Sequence, residues 1–125
     1  VTGVQTCALP IYITVARGIL EKMGVKVSEA SSGREAKDLC AVNDFDIIFM
    51  DHMMPLQNGT DAMKEIRRIR NGFYSKRPIV VLTANAVSGA REGFLAEGFD
   101  EFLPKPVGIK EMARCIKKLT GGSYE

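Results

Sequence analysis

The amino-acid sequence predicts an α/β fold: a doubly wound, five-stranded parallel sheet whose first strand is degraded or replaced. Three observations lead there. Segments with apolar residues at helical spacing alternate with short apolar runs along most of the chain. Two of those runs, at Ile47 to Met50 and Ile79 to Leu82, are apolar on both strand faces, as parallel strands covered by helices are. Parallel neighbours need helical crossovers, and these are right-handed.

The elements follow in order. Residues 1–11 carry no charge and no clear period, whereas every Asp, Glu, Lys and Arg lies beyond them. This segment resembles the conceptual translation of a short-read sequencing adapter and is expected to be non-native, which leaves 12–125 as the domain. A secretory signal would need a basic n-region and a sustained apolar core, and neither is present. A weak strand through Val4 and Thr6 is the third reading. Ile13, Ala16, Ile19, Leu20 and Met23 then recur at helical spacing, with Gly24 placed as a C-cap. Val25 to Ala30 reads as a short strand. Ser32 stands three residues before Glu35, a capping-box arrangement for a helix through Ala36, Leu39, Cys40 and Val42.

Asn43 and Asp44 turn the chain into the central strand, which ends at Asp51. After a loop from Pro55 to Gly59, Ala62, Met63, Ile66 and Ile69 mark a helix whose other face carries Lys64, Glu65, Arg67, Arg68 and Arg70. That face reads as solvated rather than as a nucleic-acid stripe, because Asp61 and Glu65 interrupt it. Pro78 to Thr83 is the next strand. Ser88 is placed to cap a helix through Ala90, Phe94 and Leu95 that stops at Gly98. A short strand, Glu101 to Leu103, meets Pro104-Lys105-Pro106, and a last amphipathic helix runs from about Ile109 to Leu119. Four strands are clear and the first is missing where residues 1–11 stand. Val4 to Thr6 is expected to substitute for it, with Pro10 near the start of the first helix, where proline is tolerated.

Composition narrows the function classes. A chain of 125 residues, 46% hydrophobic and 26% charged, suits one globular domain. The net charge of +2 argues against nucleic acid as a direct partner, and no apolar run is long enough to cross a bilayer. Cys7, Cys40 and Cys115 make no CxxC pair and no metal-ligand spacing. Scattered cysteines in odd number fit a reducing cytosol, so a cytoplasmic location without membrane contact is expected.

The chemistry centres on Asp51. Ligands collect outside the carboxyl ends of strands in such sheets, and Asp51, Thr83 and Lys105 each follow or end a different predicted strand. An aspartate can attack a phosphoryl group to give an acyl phosphate, a transfer that depends mainly on charge neutralisation. An aspartate-nucleophile phosphatase would need a second aspartate at position 53, which is Met53, and a flavin module would need a phosphate loop after the first strand, which is absent. His52, the single histidine, reads as a packing or exposed residue. Met53 and Met54 read as apolar filler, and Asn58 as turn chemistry.

The run Phe45-Asp46-Ile47-Ile48-Phe49-Met50-Asp51-His52-Met53-Met54-Pro55, followed by Gly59, resembles the phosphoacceptor strand of a two-component response regulator receiver domain. The resemblance covers residues 12–125 and implies a flavodoxin-like receiver fold. It also implies a phosphoryl acceptor that is not an enzyme beyond self-catalysed phosphorylation and dephosphorylation. Asp51 would take the group from a histidine kinase or phosphotransfer domain, including a kinase to which the domain is fused. Thr83 would hydrogen-bond the phosphoryl group, Lys105 would pair with its oxygens, and Phe102 would be the aromatic switch that follows Thr83. The bond from Lys105 to Pro106 resembles the family's cis peptide, and Ala84 to Gly89 resembles receivers of hybrid sensor histidine kinases. Mg²⁺ would be held by Asp51, the Met53 backbone carbonyl and an acidic pair on the first strand. The positions of that pair fall near Cys7 and Ala8, so Mg²⁺ binding is expected to be impaired. A pseudo-receiver, an interaction module that is not phosphorylated, is the alternative.

Overall fold

Strands apolar on both faces must be covered on both faces, and this requirement sets the architecture. A computed structural model describes residues 3–7, 21–22, 26–30, 32–52, 58–84, 89–105 and 108–120. Its strands are β1 (Gly3–Cys7), β2 (Lys26–Ala30), β3 (Ile47–Asp51), β4 (Ile79–Thr83) and β5 (Glu101–Pro104), all parallel in the order β2-β1-β3-β4-β5. The helices described in full are α1 (Gly33–Val42), α2 (Gly59–Gly72), α3 (Ala90–Glu97) and α4 (Ile109–Thr120). Glu21 and Lys22 are helical and exposed, at the end of the first predicted helix. The rest of that helix, with Gly24 and Pro10, lies outside the described residues.

The expected substitution for the first strand is found. Val4 pairs with Val27 on one side and Ile47 on the other, so β1 fills the place between β2 and the central strand β3. Alternate residues of β3 and β4 then enter two separate cores. Ile48, Met50, Ile79 and Val81 pack with Ala36, Cys40, Ala62, Met63, Ile66 and Phe94 from α1, α2 and α3. On the other face Ile47, Phe49, Val80 and Leu82 pack with Met112, Cys115 and Ile116 from α4.

Caps agree with the sequence in part. Ser32 Oγ accepts from the Glu35 amide at 3.1 Å, and Asn58 Oδ1 accepts from Asp61 at 2.9 Å, which gives Asn58 a defined role as the N-cap of α2. Ser88 lies outside the described residues. The N-cap of α3 is Gly89, at φ 86° and without a side-chain hydrogen bond.

Two expectations for α2 need correction. Helical geometry fails at Ile69 (ψ 160°), and Arg70 and Asn71 take φ of 53° and 55°, a region that non-glycine residues seldom enter. The reason is tertiary: Arg70 donates to the carbonyls of Cys40 (3.3 Å) and Asn43 (3.0 Å), pairs with Asp44 at 2.8 Å, and lies over the Phe73 ring. The charged face is therefore not merely solvated. Arg67 donates to the carbonyls of Tyr74, Ser75, Arg77 and Gly98 and to Asp100, satisfying loop acceptors that secondary structure leaves open.

Tyr74 is the other anchor of this end. It is fully buried; its hydroxyl accepts from the Phe45 amide at 3.1 Å and donates to the Asn43 carbonyl. Burial pushes its phenol from 10.0 up to about 12, against the Phe45 hydrogen bond. Burial likewise pushes the Cys40 thiol from 9.0 up to about 12, opposed by its hydrogen bond to Tyr74. Both groups hold their protons more tightly when folded, so unfolded chains deprotonate first. Stability is intact below the unfolded values and falls as pH rises from about 9 toward about 12. Urea denaturation across the alkaline range should show this decline, with a later onset in Cys40→Ala.

Candidate functional site at the carboxyl edge of the sheet

Parallel pairing keeps strand ends level, and here it gathers chemistry at one edge. Asp51 closes β3 opposite Leu82, and Thr83 closes β4 opposite Pro104, so Lys105 follows immediately beside them. Backbone bonds fix the arrangement: His52 N donates to Leu82 O at 2.9 Å, and Lys105 N donates to Thr83 O at 2.8 Å. Asp51 and Thr83 are 2% and 1% exposed, which makes them two of the few polar side chains in the interior. Asp51 Oδ1 forms an ion pair with Lys105 Nζ. Among the described residues that oxygen accepts no hydrogen bond of good geometry, and its charge partner is the ammonium.

Gly59 sets the wall of the crevice. Its amide donates to His52 O at 2.8 Å, and a Cβ placed on it would stand 2.5 Å from the Asp51 carbonyl oxygen. Only glycine permits this approach between the start of α2 and the end of β3. The sequence marked Gly59 as a loop residue but gave no sign of the contact.

The three residues singled out for chemistry, Asp51, Thr83 and Lys105, are thus brought together. Phe102 sits on β5, half-buried, its ring 6.2 Å from that of Phe94. Met53 and Pro106 lie outside the described residues. Missed in the sequence was Glu101, which precedes Phe102 and ties three elements together. Its carboxylate accepts from Arg91 at 2.8 and 3.3 Å, from Lys118 at 3.3 Å and from the Phe102 amide at 3.2 Å. The Arg91 hydrogen bond, aided by the Phe102 amide and Lys118, holds the Glu101 carboxyl below its ordinary value against the effect of burial. No periodicity betrays such a clasp, because its partners lie on three separate elements.

The donor set does not fit Mg²⁺ as a receiver would hold it. The ion takes oxygen ligands in an octahedron, commonly one or two carboxylates. Asp51 offers one, already paired with Lys105. The neighbouring β1 ends in Cys7, level with Met50, and the sequence continues with Ala8, so the next strand adds no carboxylate. Among the described residues no cluster of three His, Cys, Asp or Glu side chains could hold a metal.

Comparison with known proteins gives a consistent result. Residues 10–117 match the profile of the response regulator receiver domain. The sensor histidine kinase GacS of Pseudomonas protegens is 32% identical over 115 residues, covering 90% of this chain but 12% of that protein. The chain therefore spans about an eighth of that relative's length. Two-component response regulator 24 of Arabidopsis thaliana is 33% identical over 107 residues, covering 85% of this chain and 74% of that protein. Among solved structures, the receiver domain of sensor histidine kinase PA1611 from Pseudomonas aeruginosa, described with a magnesium ion coordinated in its active site cleft, superposes with a TM-score of 0.82. It is 31% identical and covers 97% of this chain and 98% of that one.

Gly59→Ala should force the Asp51 carbonyl or the start of α2 to move. The expected cost is about 1–3 kcal/mol by urea denaturation, as for other overpacked sites.

Proposed function

The chain belongs to the response regulator receiver domain family, and we propose that its natural domain accepts a phosphoryl group on Asp51 and thereby switches a partner-binding face. The observation that carries the reading is the convergence of Asp51, Thr83 and Lys105 at one strand edge, with Asp51 buried and ion-paired with Lys105. A carboxylate oxygen of Asp51 forms the new O–P bond as the P–N bond to a donor histidine breaks. The Lys105 ammonium, released from Asp51 Oδ1, then balances charge on the phosphoryl oxygens, and the Thr83 hydroxyl donates to one of them. The donor is a histidine kinase or phosphotransfer domain, and identity to GacS supports a hybrid-kinase setting.

Residues 1–11 are a non-native segment in this reading, supported by their lack of charge and by a family match that begins at residue 10. The natural first strand would carry the acidic pair, and the present chain holds Mg²⁺ weakly for want of it. A cytoplasmic domain follows from the family's partners; among the described residues no helix is long and apolar enough to cross a membrane. The second reading, an interaction module that is never phosphorylated, is favoured by the lack, among the described residues, of a cluster of side chains that could hold a metal.

Phosphate incorporation from a small acyl phosphate decides between them, in a chain carrying Cys7→Asp and Ala8→Asp. Incorporation should vanish with Asp51→Asn. With Thr83→Ala it should persist while losing most of the linked change in partner affinity, a coupling of about 1–3 kcal/mol. Phosphate that survives Asp51→Asn would sink the acceptor reading, and an equal partner response with Thr83→Ala would remove Thr83 as relay.

A further inference from the structure

Helix α3 is poorly equipped to hold its own position. It has eight residues, its N-cap Gly89 lends no side-chain hydrogen bond, and Phe94 is its only buried residue. Helices this short are marginal without tertiary contacts, so the seat of Phe94 decides where α3 lies. Beside the apolar core that Phe94 joins, three rings touch it. His52 meets Phe94 edge-on, with centroids 4.9 Å apart and planes at 75°; Phe99 does so at 6.0 Å and 82°; Phe102 lies tilted at 6.2 Å and 32°. The Arg91 to Glu101 pair is a second tether, but Arg91 is half exposed and such pairs are weak in water.

The His52 ring is carried on stiff backbone. Its amide donates to Leu82 and its carbonyl accepts from Gly59, so the ring reports the position of the strand end next to Asp51. The ring contacts then run without a break from His52 to Phe94 to Phe102.

We propose that His52 is a positioning residue for α3: its edge contact with Phe94 couples the end of the Asp51 strand to the seat of α3 and to Phe102, by a route that bypasses Thr83. The direction of signalling rests on the acceptor role of Asp51, whereas the seat itself exists in the resting chain. A displacement of the strand end shifts the His52 ring, and Phe94, the one buried residue of α3, shifts with it against Phe102. Edge-to-face pairs are geometrically selective, which an aliphatic contact would not be.

Amide hydrogen exchange of the unphosphorylated chain tests this without any phosphotransfer. Protection of residues 93–97 should fall about tenfold or more in His52→Ala and in His52→Leu, while α4 and β4 keep theirs, because local opening is distinct from global unfolding. His52→Phe, which restores an aromatic edge, should return α3 to within about threefold of the parent chain. Unchanged protection in both ringless variants would overturn the proposal. So would an equal loss in α3, α4 and β4, or a failure of His52→Phe to restore α3.

Discussion

A carboxylate that is almost out of contact with water, held against one ammonium, is the constraint on which the rest of this molecule depends. Removing two charges from water is costly, and their attraction compensates only when backbone geometry holds them in place. Asp51 can stay buried because the parallel register delivers Lys105 beside it, through the pairing of β3 with β4 and of β4 with β5. That register in turn requires both faces of β3 and β4 to be covered, which the two cores do. Gly59 completes the arrangement by letting α2 begin against the Asp51 carbonyl.

Much of this was legible in the sequence, for definite reasons. Ile47 to Met50 and Ile79 to Leu82 are apolar at consecutive positions, short and rich in β-branched residues, as doubly covered strands are, so the strands and the polar residues ending them could be read directly. What escaped has a common physical character. The break in α2 at Ile69 to Asn71, the carbonyl web around Arg67 and the Glu101 clasp all depend on partners 27 or more residues away or on several elements at once. Local propensity carries no trace of such contacts. Arg67 and Arg70 read as surface charge because most of what they bind is backbone carbonyl, which every residue possesses. His52, read as a packing or exposed residue, packs against Phe94, a partner that spacing could not reveal.

Strand β1 separates fold from chemistry. Its pairing uses backbone N–H and C=O groups, which any segment without proline supplies, so Gly3–Cys7 lies between β2 and β3 in regular register. Side-chain chemistry at its end is another matter. The described strand ends at Cys7, beside Met50, and the sequence from Cys7 through Leu20 has no carboxylate.

The central claim is that this edge brings together the carboxylate, hydroxyl and cation proposed for phosphoryl transfer, and that Mg²⁺ binding there is limited by carboxylates. Calorimetric titration of Mg²⁺ against the chain and against its Cys7→Asp, Ala8→Asp variant tests it most directly. The account predicts weak binding by the parent chain and an affinity at least about tenfold higher in the variant, since each added carboxylate strengthens a hard-cation site. Equal affinities would contradict it, because the missing carboxylates would then not be what limits the site.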